Sequence, residues 1–448
     1  MSSGNNQHRA LKELAQEIFH SALAEMKVGP AFRRKVRREG SLLRFGEGKD
    51  EGRVDLAAYR EVWIVSFGKA GWATYDALQE MLGEEFAPRR GVVVSNVPAR
   101  QVPKGFKVFR AGHPVPNQQS FAAAEAILDL LREADEGTLV FFFISGGGSA
   151  LVEKPLEPGV TLADMQEFNK LLVECGASID RINAVRKHLS AIKGGRLREV
   201  AGRAHSVTFI LSDVPEGMAA ATSSGPTLPD PSTVAECYEM IVQYGLLDKL
   251  PGSIRGLFED RRLPETPKER VEVFRRGQSF VLLSNADILE AARRAAEVRG
   301  FVVEQETRCN EWPLERARKL LLERIEEVIA QNPGQPVALL AGGEVLVEVT
   351  GGGRGGRNLA FVLSCVERIA GQELAVFSAG TDGIDGNSAA AGAVADGDTL
   401  ARAQKRKLDP DDYFRRSDSF RFFEALGDAI VTGPQQNNLR DLRLLLAR

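Results

Sequence analysis

The residues that staple or ligate a fold are scarce in this chain. Its 448 residues include four cysteines, Cys175, Cys237, Cys309 and Cys365, set singly and never as C-x-x-C. That spacing suggests neither a disulfide framework nor a cysteine zinc site and predicts a reducing, cytoplasmic setting. The five histidines form no H-x-x-x-H pair, which argues against a zinc hydrolase. No apolar run approaches the ~20 residues a membrane helix needs, and the opening MSSGNNQHRA has no apolar signal core. A soluble protein without a membrane partner is expected. Charge of one sign is missing too: 58 Lys and Arg against 61 Asp and Glu leave a net charge of -3, without the basic excess of a nucleic-acid binder.

Glycine, in contrast, is plentiful at 44 residues, above the usual ~7%. The length suffices for two or three packed cores. From Leu11, apolar residues at Leu14, Ala15, Ile18, Phe19, Ala22, Leu23 and Met26 trace one face of an amphipathic helix. Short β-branched or aromatic runs follow at 62–66, 91–95, 139–144, 207–211, 280–283, 337–340, 374–377 and 429–431. Helical stretches at 120–134, 161–175, 287–298 and 358–369 separate many of them. Such alternation predicts an α/β fold: two α/β domains with largely parallel sheets flanked by helices and the active site in the cleft between them. Residues 1–248 are expected to form a Rossmann-like domain and 277–448 a second. Residues 249–276, rich in proline and mixed charge, read as a surface connection or as a solvated helix within one domain.

Polar residues and glycines gather where the strands end. The runs pass into Ser66-Phe67-Gly68-Lys69, Ser145-Gly146-Gly147-Gly148-Ser149, Ser212-Asp213, Ser284-Asn285, Ser378-Ala379-Gly380-Thr381-Asp382 and Thr432-Gly433-Pro434. Ligands of open α/β sheets bind outside the carboxyl ends of the strands, although small polar residues also make turns and helix caps. The SGGGS loop offers unobstructed N–H groups to a phosphate or carboxylate. Lys69 could neutralise a transferring phosphoryl group. Asp213 and Asp382 could hold Mg²⁺ or act on a hydroxyl. The densest cluster, 351–358, matches G-x-G-x-x-G and the outer spacing of a P-loop, as any glycine-rich run does. Arg357 and Asn358 stand where a P-loop wants Lys and Ser/Thr, and the next strand closes on Ser378 instead of an acid. The cluster reads as an anion-binding loop with two guanidiniums.

These stretches, together with AGHPVP (111–116), ISGGGSALVEKP (144–155), INAVRKHLSAIKGGRL (182–197), LSDVPEG (211–217), SSGPT (223–227), LSNADI (283–288) and LAGGEVLVEVTGGGRGGRN (340–358), resemble the class II glycerate kinase family with its C-terminal MOFRL domain. The resemblance covers nearly the whole chain in order. It implies transfer of the ATP γ-phosphoryl group to the 2-hydroxyl of D-glycerate with Mg²⁺, and implies catalytic roles for Lys69 and Arg357. Asp213 is the candidate for orienting or deprotonating the hydroxyl or for holding Mg²⁺. Expected substrate or phosphate contacts are Gly68, Ser145, Gly146, Gly147, Gly148, Ser149, Arg186, Lys187, Asn285, Gly353, Gly355, Gly356, Asn358 and Thr381, with Asp382 a further metal candidate. Self-association is left open. Alternatives are an NAD(P)H-dependent hydroxypyruvate reductase, a name some family members carry, and a non-catalytic carboxylate or nucleotide binder. Two departures from the family pattern, Leu359-Ala360 and the Gln435–Asn438 stretch, bear on substrate preference.

Overall fold

The computed structural model describes residues 2–46 and 51–448. The chain forms two compact units, Val28–Leu282 and the N-terminal residues to Lys27 joined with Leu283–Arg448. Both are α/β. Among the described residues no helix is long and apolar enough to cross a membrane.

The first unit is built on a six-stranded sheet in the order Phe106–Arg110, Arg90–Ser95, Glu61–Phe67, Thr138–Ser145, His205–Leu211, Gly277–Leu283. The pairs along the first five strands are all parallel. Continuous apolar strands such as TLVFFFIS, buried at every residue, suit a sheet covered on both faces. The chain begins at the centre with Glu61–Phe67, steps outward twice, then returns to the other side of that strand with Thr138–Ser145. This is the doubly wound 3-2-1-4-5-6 order, and its direction reverses between those two strands. A three-stranded antiparallel sheet of Val36–Glu39, Leu42–Phe45 and Gly52–Asp55 and a cluster of helices complete the unit.

Two boundaries differ from expectation. Gly277–Leu283 lies beside His205–Leu211, so the first sheet extends past the expected start of the second domain. Residues 249–276 do not join domains; Leu250, Ile254, Leu257, Phe258 and Leu263 are buried with Met165, Phe168 and Met240. The apolar residues spaced between their charges make this a packed part of the first unit.

In the second unit, too, the sheet has six strands: Val302–Glu306, Val337–Gly343, Asp441–Ala447, Leu374–Gly380, Gly392–Asp396 and Ala429–Ile430. It is mixed, a departure from the largely parallel sheet expected. Asp441–Ala447 runs antiparallel between Val337–Gly343 and Leu374–Gly380, and Gly392–Asp396 is antiparallel to the latter. The N-terminal helix, Ser2–Glu25, belongs to this unit. Its Leu11, Ala15, Ile18, Phe19 and Ala22 are buried, and the Phe19 ring lies 5.0 Å from that of Phe377. Lys12 donates to Asp428 at 2.7 Å and faces Asp396 at 3.5 Å, which satisfies its buried ammonium. Phe19→Ala should therefore destabilise the unit by about 3–5 kcal/mol, read as an earlier transition in denaturant unfolding of the full chain.

Candidate active site

At the reversal point of the first sheet, two strand ends meet through glycine. Gly68 has φ +120, and a Cβ there would collide with the hydroxyl and carbonyl of Ser145 on the neighbouring strand. The approach is locked by hydrogen bonds from Lys69 N–H to Gly146 O at 3.0 Å and from Ala70 N–H to Ser145 Oγ at 3.1 Å. Gly147 adopts φ +83, and a Cβ on it would stand 2.9 Å from His113 Nε2 and 3.5 Å from Lys69 Cγ. Gly146 leaves room for the Asp213 carboxylate, and Gly148 for Ser223, whose Oγ donates to Ser145 O at 2.8 Å. Ser149 Oγ lies 2.9 Å from Ser224 Oγ. Lys69, the 145–149 loop and Asp213 are thus assembled in one place, as their positions at strand ends suggested. Among the described residues no protein acceptor meets the N–H groups of Gly147 and Gly148.

Sequence reasoning did not single out three participants there. His113, in AGHPVP, borders the loop; partial burial and then the Lys69 charge hold its imidazole below the ordinary value. Glu153 and Lys193 form a buried ion pair in the wall of an adjoining cavity of about 460 Å³, which Arg186, Ser149 and Gly147 also line. Both lie in matched motifs, but only folding shows them together. Lys187, expected as a ligand contact beside Arg186, turns away and pairs with Asp230 at 3.0 Å.

The other expected loop behaves differently. The 351–356 glycines lie in the second unit, where protein groups take four of the loop's N–H donors: Ser417 Oγ accepts from Gly351, Arg416 O from Gly353, Asp418 Oδ1 from Arg354 and Asn387 Oδ1 from Gly355. A Cβ on Gly353, Gly355 or Gly356 would press on Asp418, Ser419 or Asp385, so these glycines serve close packing. Residues 344–350, strand-like in sequence, make one isolated bridge, Leu346 to Pro313, and no strand. The following helix, Arg357–Cys365, already has a carboxyl group at its start: Asp385 accepts from Asn358 N–H at 3.1 Å and Leu359 N–H at 2.8 Å. An internal carboxyl group occupies the place expected for a ligand. Leu359, where the family pattern is polar, is fully buried in the core.

Arg357 sits at that helix start. Its Nε donates to Asp441 Oδ2 at 2.7 Å and its Nη2 to Asp441 Oδ1 at 3.0 Å and Glu344 Oε1 at 2.8 Å. Burial opposes its charge, but Asp441 and Glu344 outweigh it and hold the guanidinium above its ordinary pKa. Asp441 opens the antiparallel strand, opposite both Gly343 and Gly380. A search of strand carboxyl ends misses it because this strand starts where its neighbours finish. Asn285, Asn358 and Thr381 also turn out to serve the fold. Asn285 Nδ2 donates to Leu439 O at 2.7 Å and its Oδ1 accepts from Gly343 N–H. Ser378 Oγ donates to Asn358 Oδ1 at 2.5 Å. Thr381 Oγ1 donates to Arg440 O at 2.8 Å. Asp382 Oδ1 accepts from Ile384 N–H at 3.2 Å. Among the described residues no group of three or more His, Cys, Asp or Glu side chains could cage a metal.

The first unit is of the doubly wound α/β class, with a lysine and an open glycine loop at its switch point. Residues 14–259 match the family described as a domain of unknown function, DUF4147, and residues 337–441 match the MOFRL family. A D-glycerate 2-kinase of Thermotoga maritima is 36% identical, over 85% of this chain and 89% of that one. A protein of Agrobacterium vitis that carries a hydroxypyruvate reductase name is 38% identical, over 86% of each. The crystal structure of a glycerate kinase (EC 2.7.1.31) from Thermotoga maritima superposes with a TM-score of 0.83 at 32% identity, covering 98% of this chain and all of that one. The chain belongs to the class II glycerate kinase family.

Burial first, and Asp441 as a neighbouring charge, push the Asp385 carboxyl up to about 7 against the pull of its two backbone hydrogen bonds. An acid raised in the native state stabilises it below the unfolded value of ~3.9 and loses that contribution as pH rises through about 7. Denaturation of the full chain should show this as a fall of up to about 1.4 kcal/mol per pH unit within that window, flattened in Asp385→Asn.

Proposed function

We propose that this protein is a glycerate 2-kinase, transferring the γ-phosphoryl group of ATP to the 2-hydroxyl of D-glycerate to give 2-phosphoglycerate and ADP. The observation that carries the reading is the Lys69 side chain beside the open 145–149 loop, at the switch point of a sheet whose relatives include a D-glycerate 2-kinase. Phosphoryl transfer asks mainly for positioned reactants and for cations around the transferring oxygens. Lys69 supplies such a cation, and the loop N–H groups supply dipoles without side-chain obstruction. Asp213, packed over Gly146, orients the acceptor hydroxyl and takes up its proton as the new O–P bond forms.

The donor set also fits Mg²⁺, which commonly takes one or two carboxylates and fills its shell from phosphates and water. Asp213 would hold it in place of acting as the base, and when bound the ion neutralises charge on the phosphate oxygens. Arg357, to which the family resemblance also gives a catalytic role, is fixed by Asp441 and Glu344, which hold its guanidinium above its ordinary pKa. With all four cysteines free thiols, we place the enzyme in the cytoplasm.

A nicotinamide reductase is disfavoured by the residues at the same switch point. The first strand runs into Gly68-Lys69-Ala70-Gly71 without G-x-G-x-x-G, and the second strand, Arg90–Ser95, ends in a buried serine where such folds place the carboxylate that binds the ribose. An assay with D-glycerate, ATP and Mg²⁺ that resolves the two phosphoglycerates should yield 2-phosphoglycerate. No phosphoglycerate, with NAD(P)H consumed on hydroxypyruvate, would overturn the reading. Lys69→Ala should lower kcat by roughly 10²-fold or more, and near-normal turnover in the folded variant would remove Lys69 from the mechanism.

A further inference from the structure

The cavity beside the 145–149 loop carries one positive charge that no protein group pairs with directly among the described residues. Four of the charged residues in its lining form pairs. Lys193 pairs with Glu153, both buried, and Lys170 faces Glu174 at 4.0 Å on the outer rim. Glu153 has no oxygen to spare: Oε1 accepts from Ser190 Oγ at 3.0 Å and Lys154 N–H at 3.1 Å, and Oε2 from Lys193. Arg186 is left over. Among the described residues no hydrogen bond or ion pair reaches its guanidinium, and its Nε is buried without a partner. Burial lowers its pKa, the mark of a charge the fold holds at a cost.

We infer that Arg186 is the anchor for the acceptor's carboxylate, and that this cavity selects 2-hydroxy acids by that one charge. This rests on the glycerate kinase reading and deepens it. The planar fork of a guanidinium matches a carboxylate with two parallel N–H···O bonds, and a single unmatched charge matches a singly charged acid better than a triphosphate. At about 460 Å³ the cavity exceeds the needs of a three-carbon acid, so charge and not shape must fix the substrate's position. Gly147 and His113 line the same space, and a Cβ on Gly147 would lie 3.5 Å from Lys69 Cγ. An acid held by Arg186 therefore has its 2-hydroxyl directed toward the lysine and the open loop. The Glu153–Lys193 pair acts as a positioning device: its carboxylate partly offsets the guanidinium electrostatically while leaving its donors unclaimed.

Steady-state kinetics with each substrate varied in turn test this. In Arg186→Met the KM for D-glycerate should rise about 10- to 100-fold, with the KM for ATP within about twofold of wild type. Preference for D-glycerate over its neutral amide should fall by the same factor. Arg186→Lys should recover part of the loss and serves if the methionine variant does not fold. An unchanged KM for D-glycerate in a folded variant, or an equal rise in the KM for ATP, would overturn the assignment. Calorimetric binding of D-glycerate to wild type and variants keeps the inference separate from the kinase reading. If wild type binds the acid without phosphorylating it, the kinase reading fails, and loss of binding in Arg186→Met still supports the anchor.

Discussion

The backbones of two adjacent parallel strands end closer together than any side chain would allow. Gly68 meets Ser145 where the sheet reverses its winding, and hydrogen bonds from Lys69 N–H and Ala70 N–H fasten the contact. Everything else at this end of the first unit follows from that approach. It turns Lys69 over the 145–149 loop and leaves Gly147 free to take φ +83 beside His113. A side chain at Gly68 would force the strand ends apart and separate the cation from the loop it serves.

The two glycine-rich loops show that abundance of glycine does not define an anion site. In the second unit the N–H groups of Gly351, Gly353, Arg354 and Gly355 are taken by protein acceptors, and the helix start is capped by Asp385. Those glycines let Asp385 and Asp418 approach the backbone. In the first unit the glycines lie against a lysine and a half-buried aspartate. The deciding variable is where the polar partners of the N–H groups come from: inside the protein in one case, from solvent or substrate in the other.

The strands and helices of the first unit were legible because a parallel sheet buried on both faces requires continuous apolar runs, and the loops that follow Glu61–Phe67 and Thr138–Ser145 meet at adjacent strand ends, as their glycine and polar residues suggested. The second unit was harder. Asp441–Ala447 is one leucine-rich strand among many apolar segments, and nothing local says that it inserts antiparallel between two parallel neighbours. Asp441 was missed for that reason. The boundary errors share a cause: which unit the Ser2–Glu25 helix and the Gly277–Leu283 strand join is decided by long-range packing, such as Phe19 on Phe377. Lys187 pairs with Asp230 while Arg186 lines the cavity, because helical neighbours point about 100° apart. Arg186 was legible as a basic residue, but not as an unpaired one, since the Glu153 that pairs with Lys193 lies 40 residues away from that lysine in sequence.

On the proposed function, phosphoryl transfer takes place at the Gly68–Ser145 approach. A crystal structure of the protein with D-glycerate and a non-hydrolysable ATP analogue tests it most directly. The γ-phosphate is expected within hydrogen-bond reach of Lys69 Nζ and of the N–H groups of Gly147 and Gly148. A γ-phosphate beyond the reach of Lys69 would contradict it.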